Sequence, residues 1–132
     1  MSEPTYYVSF WFREVLVPVD GSESSLKALE LAVDFARRYG SRITVLAATY
    51  DSAEQVRKAV EARVAGRAAY EFKAVRLDGF TSPANEVLKE LGTGKYDAVI
   101  MGARGLTVSD INIGSTAMAV AANAPVTVII VR

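Results

Sequence analysis

Neither cysteine nor histidine occurs in the 132 residues of this chain. The first absence removes disulfides, thiolate metal ligands and a cysteine nucleophile. The second removes imidazole acid–base catalysis, Ser-His-Asp triads and histidine metal sites. An excess of either charge is also missing. Fifteen Lys and Arg balance fifteen Asp and Glu, without long blocks of one sign, so the broad electrostatic footprint of a nucleic-acid or anionic-membrane binder is not there. No apolar run approaches the roughly 18 residues of a membrane span. The aromatic opening, Thr5 to Phe12, lacks the basic leader and small-residue cleavage site of a signal peptide, and a cytoplasmic protein is expected.

What is present is apolar and regular. Hydrophobic residues make up 51% and charged residues 23%, the balance of a folded chain. The length suits a single domain, 1–132, opening on an aromatic arm over 1–12 that covers apolar surface or clasps a partner subunit. Glu14 to Val19 reads as a central strand ending near Pro18, which has no N–H for a sheet ladder. Helical spacing of Leu26, Leu29, Val33 and Ala36 predicts a helix from about Ser24 to Tyr39, with Gly40 as its left-handed stop. Ile43 to Ala48 is a second strand. Ser52 with Gln55 suggests a capping box opening a helix whose face is Val56, Val60 and Val64, with Gly66 near its end. Tyr70 to Leu77 alternates as an edge strand does. Ser82-Pro83 starts a third helix, with Val87, Leu88 and Leu91 inward and Gly92 at its end. Ala98 to Met101 is a fourth strand. A fourth helix carries Ala117, Val120 and Ala121 inward, and Val126 to Val131 is the last strand.

This β-α-β-α-β-α-β-α-β alternation implies an α/β fold: a five-stranded parallel sheet with helices on both faces, joined by right-handed crossovers. The common order for five strands, 3-2-1-4-5, places the reversal of strand order between the first and fourth. Ligands bind in such sheets beyond the carboxyl ends of the strands at that point. The loops arriving there, Asp20-Gly21-Ser22 and Gly102-Ala103-Arg104-Gly105, are the richest in glycine and polar residues. The second leads on to Gly114-Ser115-Thr116 and a helix start, where backbone N–H groups and the positive end of the dipole favour an oxyanion such as a nucleotide phosphate.

Val17 to Ser25, Asp97 to Gly105, Gly114-Ser115 and Ala124 to Val131 together resemble the universal stress protein family over roughly Glu14 to Arg132. The resemblance implies a Rossmann-like, adenine-nucleotide alpha-hydrolase-like fold and a dimer. Some members of the family bind ATP through a Gly-x2-Gly-x9-Gly-[Ser/Thr] pattern and others do not. Carried over, Gly102 and Gly105 would approach ribose and phosphates with their backbone. Gly114, Ser115 and Thr116 would donate to phosphates. Asp20, beside Pro18 and Val19, would lie at the nucleotide and near Mg2+ held on the phosphates, and Ala48 would present its main chain to adenine. Met101 and Arg104 complete the candidate set, Arg104 reading either as a phosphate ligand or as a solvated side chain. ATP with Mg2+ is the implied ligand, with sensing or storage rather than rapid hydrolysis as the role. The pattern is one residue short here, Leu106 to Ile113 being eight residues, without Lys or Arg and with Asp110. A scaffold that acts through protein contacts without nucleotide is the alternative.

Gly92-Thr93-Gly94-Lys95 looks superficially like a phosphate-binding P-loop, but it precedes a strand and has Tyr96 where Ser or Thr would hold magnesium; it reads as a turn. Glu61, Arg63, Lys27 and Glu30 read as solvated helix faces. The last strand, Val126 to Val131, is apolar on both faces yet falls at the sheet edge, an arrangement proteins seldom leave uncovered. Antiparallel pairing with a second copy is the expected cover, and the aromatic arm the other candidate.

Overall fold

Strands and helices alternate without exception along the described residues, 11–104 and 113–132 of a computed structural model. They run β1 (Glu14–Pro18), α1 (Glu23–Tyr39), β2 (Arg42–Thr49), α2 (Glu54–Val64), β3 (Tyr70–Arg76), α3 (Pro83–Leu91), β4 (Ala98–Gly102), α4 (Ser115–Asn123) and β5 (Thr127–Val131). The sheet order is β3-β2-β1-β4-β5 and every pairing is parallel, the order expected from the alternation. β1, made first, is thus the middle strand, and the reversal of direction across the sheet falls between β1 and β4.

The period of two in the strands divides the interior. Val15, Val17, Ile43, Val45, Ala47, Ala98 and Ile100 face one side, where they pack with Leu29, Val33 and the Val56, Val60 and Val64 stripe of α2. Leu16, Leu46, Val99 and Met101 face the other, against Val87 and Leu91 of α3 and Ala117 and Val120 of α4. Both faces of the central strands are buried, as a parallel sheet sandwiched by helices requires. At the edge, β5 divides the same way, with Ile129 and Val131 toward the first cluster and Val128 and Ile130 toward the second.

Local chemistry sets most boundaries. Gly40 stops α1 at φ 72°, and the Ser82 hydroxyl accepts the Asn85 N–H at 3.1 Å with Pro83 at the first helical position. The Gly92–Lys95 stretch is a turn, with Gly94 at φ 81° and the Lys95 ammonium 3.3 Å from Glu71.

Three expectations are corrected. Ser52 does not cap α2: its hydroxyl accepts the Glu54 N–H at 3.1 Å, one residue too early, and Ala53 occupies the cap position without a side-chain bond. The capping box with Gln55 is therefore not formed. Ala121 is exposed; α4 turns the Ala117–Val120 row inward, and the next inward position is Ala124, partly buried against the second cluster. Arg63 is not a simply solvated side chain but ties α2 to α1 through Glu23 at 2.7 Å and Glu30 at 3.6 Å. Gly66 lies near the end of α2 as expected, and the left-handed turn there begins one residue earlier, on Ala65 at φ 50°.

Ala65 alone among the described non-glycine residues has a positive φ, a conformation that costs an L-residue about 1–2 kcal/mol. Glycine removes that strain at the expense of a more flexible unfolded chain. Ala65→Gly is therefore expected to raise stability by about 0.5–1 kcal/mol, read as a higher urea midpoint at unchanged m.

A polar network closes the amino-terminal end of the sheet. The buried Tyr96 hydroxyl donates to Glu90 Oε2 at 2.6 Å, and the Lys73 ammonium lies 2.6 Å from Glu90 Oε1. Burial pushes the Glu90 carboxyl upward, but the bonds from Lys73 and Tyr96 outweigh it and hold the group below its ordinary range. The same burial and the Glu90 contact push the Tyr96 phenol well above its own. Of the aromatic arm, Phe12 packs on Phe35 of α1 at 4.9 Å between ring centroids while Trp11 is exposed; residues 1–10 lie outside the described residues.

Candidate functional site

The carboxyl ends of β1 and β4 are held together by a chain of hydrogen bonds centred on the start of α1. β1 stops at Pro18, and the Val19 N–H still reaches the Leu46 carbonyl at 2.9 Å. The chain then turns sharply: Asp20 Oδ1 accepts the Ser22 N–H at 2.9 Å and Gly21 adopts φ 90°. Ser22 is the N-cap of α1, its hydroxyl accepting the Ser25 N–H at 3.2 Å. Two residues on, the Ser24 hydroxyl donates to the Val131 carbonyl at 3.2 Å and accepts the Arg104 N–H at 3.3 Å. The Ala103 N–H reaches the same Val131 carbonyl at 2.7 Å, and the Gly114 N–H donates to the Ala103 carbonyl at 2.6 Å. The exits of β4 and β5 and the entries of α1 and α4 are therefore mutually fixed.

Gly102 makes that closeness possible. A Cβ there would stand 2.6 Å from the Ser24 carbonyl carbon and 2.7 Å from the Ser25 backbone nitrogen. Its glycine is demanded by the contact between β4 and α1, a packing reason that the glycine pattern itself did not disclose.

Above these joined ends lies a cleft of about 400 Å³. Pro18, Val19, Asp20, Ala48, Met101, Gly102, Arg104, Gly114, Ser115 and Thr116 all line it, so the sequence candidates converge on one place. Gly105 lies outside the described residues, as do Leu106 to Asn112. Ile113 packs against the second hydrophobic cluster. The lining also includes residues that were not singled out as site residues: Ser25, Leu46, Tyr50, Pro83, Val87, Ala103 and Ala117. Val87 was legible only as a core position, and Pro83 only as a helix start. Tyr50, exposed at 57%, follows Ala48 by two residues. The turn that puts it on the rim is closed by the Thr49 hydroxyl donating to the Asp51 carbonyl at 2.7 Å.

The cleft has two chemically distinct halves. Leu46, Ala48, Tyr50, Pro83 and Val87 form an apolar side suited to a flat, largely apolar ring. Asp20, Arg104 and the Gly114–Ala117 start of α4 form a polar side. Gly114 caps α4 without a side chain, and the first intrahelical bond is the Met118 N–H to the Gly114 carbonyl. Helix geometry therefore gives the Ser115, Thr116 and Ala117 N–H groups no partner of their own, the arrangement that receives anions. Among the described residues, Asp20 is the single carboxylate in the lining, and no group of three or more His, Cys, Asp or Glu occurs.

The sequence profile of the Universal stress protein family matches residues 12–132. The chain belongs to that family. It is 28% identical over 136 residues to a universal stress protein of Thermus aquaticus, covering 92% of this chain and 99% of the relative. A crystal structure of a universal stress protein in complex with cAMP superposes with a TM-score of 0.72 at 25% identity, over 91% of this chain and 96% of that one. A universal stress protein from Archaeoglobus fulgidus in complex with dAMP shares the fold with a TM-score of 0.71 at 17% identity, over 93% and 100% of the two chains. The parallel five-stranded arrangement is thus that of the universal stress proteins. Among the described residues, no helix is long and apolar enough to cross a membrane.

Proposed function

We propose that the cleft binds an adenine nucleotide, with ATP carried as its Mg2+ complex among the ligands it accepts, and that binding serves a sensor or switch role in a stress response. The observation that carries this reading is the division of one cleft, at the topological switch point, into an apolar half and an anion-receiving half. The base lies against Ala48 and Tyr50. The phosphates lie toward Arg104, Ser115 and Thr116, with Gly102 at the cleft wall and Asp20 standing near any phosphate-bound Mg2+; the Gly114 N–H, expected as a phosphate donor, is instead donated to the Ala103 carbonyl. The cAMP complex of the 25% identical relative supports the ligand class.

The β5 edge supports assembly into a homodimer. Its side chains are apolar toward both helical layers, and no strand flanks it beyond β4 among the described residues. Antiparallel pairing with the Val126–Val131 segment of a second copy would cover it. The same surface is what a purely protein-contacting scaffold would use.

Thermal shift with ATP and Mg2+ on the wild type and on Gly114→Val tests the nucleotide reading. Ligand at about 100 times Kd adds roughly 2.7 kcal/mol of stability, a rise of several degrees in Tm. Valine at a buried, cleft-lining cap leaves less room for the ligand, and the rise is expected to vanish while the unliganded fold persists by circular dichroism. Absence of any wild-type shift at millimolar nucleotide would leave the scaffold reading.

A further inference from the structure

At the end of the sheet opposite the β1/β4 cleft, we propose a second ligand site, for a small multivalent anion carrying phosphate or carboxylate groups. A cavity of about 690 Å³ opens there between the end of α1 and the starts of β2 and β3. The chain as a whole is neutral, fifteen cations against fifteen carboxylates, but this lining is not. Among the described residues it carries Arg37, Arg42, Arg67 and Lys95 against Glu14 and Glu71. Arg42 stands 2.6 Å from Glu14 and Lys95 3.3 Å from Glu71, so those charges cancel in pairs. Arg37 and Arg67 are the surplus. Neither lies within ion-pair distance of a carboxylate among the described residues.

The bonds these two side chains do make go to main-chain carbonyls. Arg37 Nη1 donates to the Arg67 carbonyl at 3.1 Å. Arg67 donates from Nε to the Val64 carbonyl at 3.1 Å and from Nη2 to the Arg63 carbonyl at 2.7 Å. Such bonds steady the helix ends but occupy only part of each guanidinium fork, leaving N–H donors for an anion. The carboxyl ends of α1 and α2 open toward the same place, each equivalent to about half a negative charge. They offset about one of the two surplus cations and leave about one.

A second observation points into the same cavity. Ser41, 6% exposed, is part of its lining. Among the described residues, its Oγ is the only buried side-chain polar atom without a hydrogen-bond partner. A buried hydroxyl left unmatched is costly, and rotation about χ1 lets it turn to an acceptor that a ligand brings. Ala36, Ile43, Ala68 and Ala69 supply apolar lining beside these polar groups, room for the carbon body of an organic anion. The guanidinium fork suits carboxylate and phosphate oxygens alike.

A 15N-resolved NMR titration of the full chain at low ionic strength, with pyrophosphate and with citrate, tests the site. Saturable shifts are expected at the amides of residues 40–44 and 67–71, and whichever anion binds more tightly assigns phosphate or carboxylate as the preferred group. Arg37→Gln removes one surplus charge and should weaken binding by about fivefold or more. Ser41→Ala should weaken it by about threefold and, by deleting the orphaned hydroxyl, raise the urea midpoint of the ligand-free protein. Shifts confined to the start of α4, unsaturable shifts spread over surface Arg and Lys, or an affinity unchanged by either variant would overturn the proposal. None of these outcomes bears on whether the β1/β4 cleft binds nucleotide.

Discussion

Gly102→Val is expected to destabilise the protein by about 3 kcal/mol or more, at the upper end of what overpacking costs. The first added carbon already falls 2.6 Å from the backbone and the hydroxyl of Ser24, and backbone cannot swing aside as a flexible side chain can. α1 would have to retreat from β4. Retreat stretches the Ser24 bonds to Val131 and to the Arg104 N–H, so the loss of stability should come with a loss of order at the polar end of the cleft. Gly102→Ala carries the same initial clash without the branches and should show a smaller loss in the same direction. Urea unfolding of the three proteins measures it. Equal stabilities would mean that the contact between β4 and α1 is not as tight as described.

Leu46→Ala is expected to cost about 2–4 kcal/mol, the range for deleting a fully enclosed leucine whose neighbours relax only partly. Leu46 is 1% exposed and belongs to the cluster with Leu16, Val87, Val99 and Met101. It also forms part of the cleft lining, so the truncation should do two things at once: lower the denaturation midpoint and enlarge the apolar half of the site. Loss of stability below about 1 kcal/mol would show that the cluster collapses into the vacancy. The backbone bond from the Val19 N–H to the Leu46 carbonyl does not depend on the side chain, and this variant therefore separates packing from main-chain geometry.

What could be read from the sequence was what local chemistry and simple periodicity dictate. Pro18, Gly40 and Ser82-Pro83 announce their boundaries because each acts within a turn of its own position. The sheet order followed from alternation, and the convergence of Asp20 with Ser115 followed from the sheet order. The misreadings share a different origin. Ser52 had the right residue type for a cap but sits one position early, and nothing local distinguishes those two geometries. Ala121 faces outward because α4 is so rich in alanine that its pattern does not choose a face. Gly102 lines the cleft as the sequence suggested, but its packing against a helix nearly eighty residues earlier in the chain was not legible, because that contact is long-range. Tyr50 entered the site through a loop turn that periodicity does not report.

The hydroxyl of Ser24 meets the carbonyl of Val131 across 107 positions of sequence, and β1 lies between β2 and β4 rather than at a border. On the ribosome, the first strand and helix emerge long before the strands that must flank and fasten them. Loop-closure entropy of that size makes native assembly slow relative to helix formation. Until β5 emerges, the nascent chain has the walls of its cleft but not the clasp that joins them.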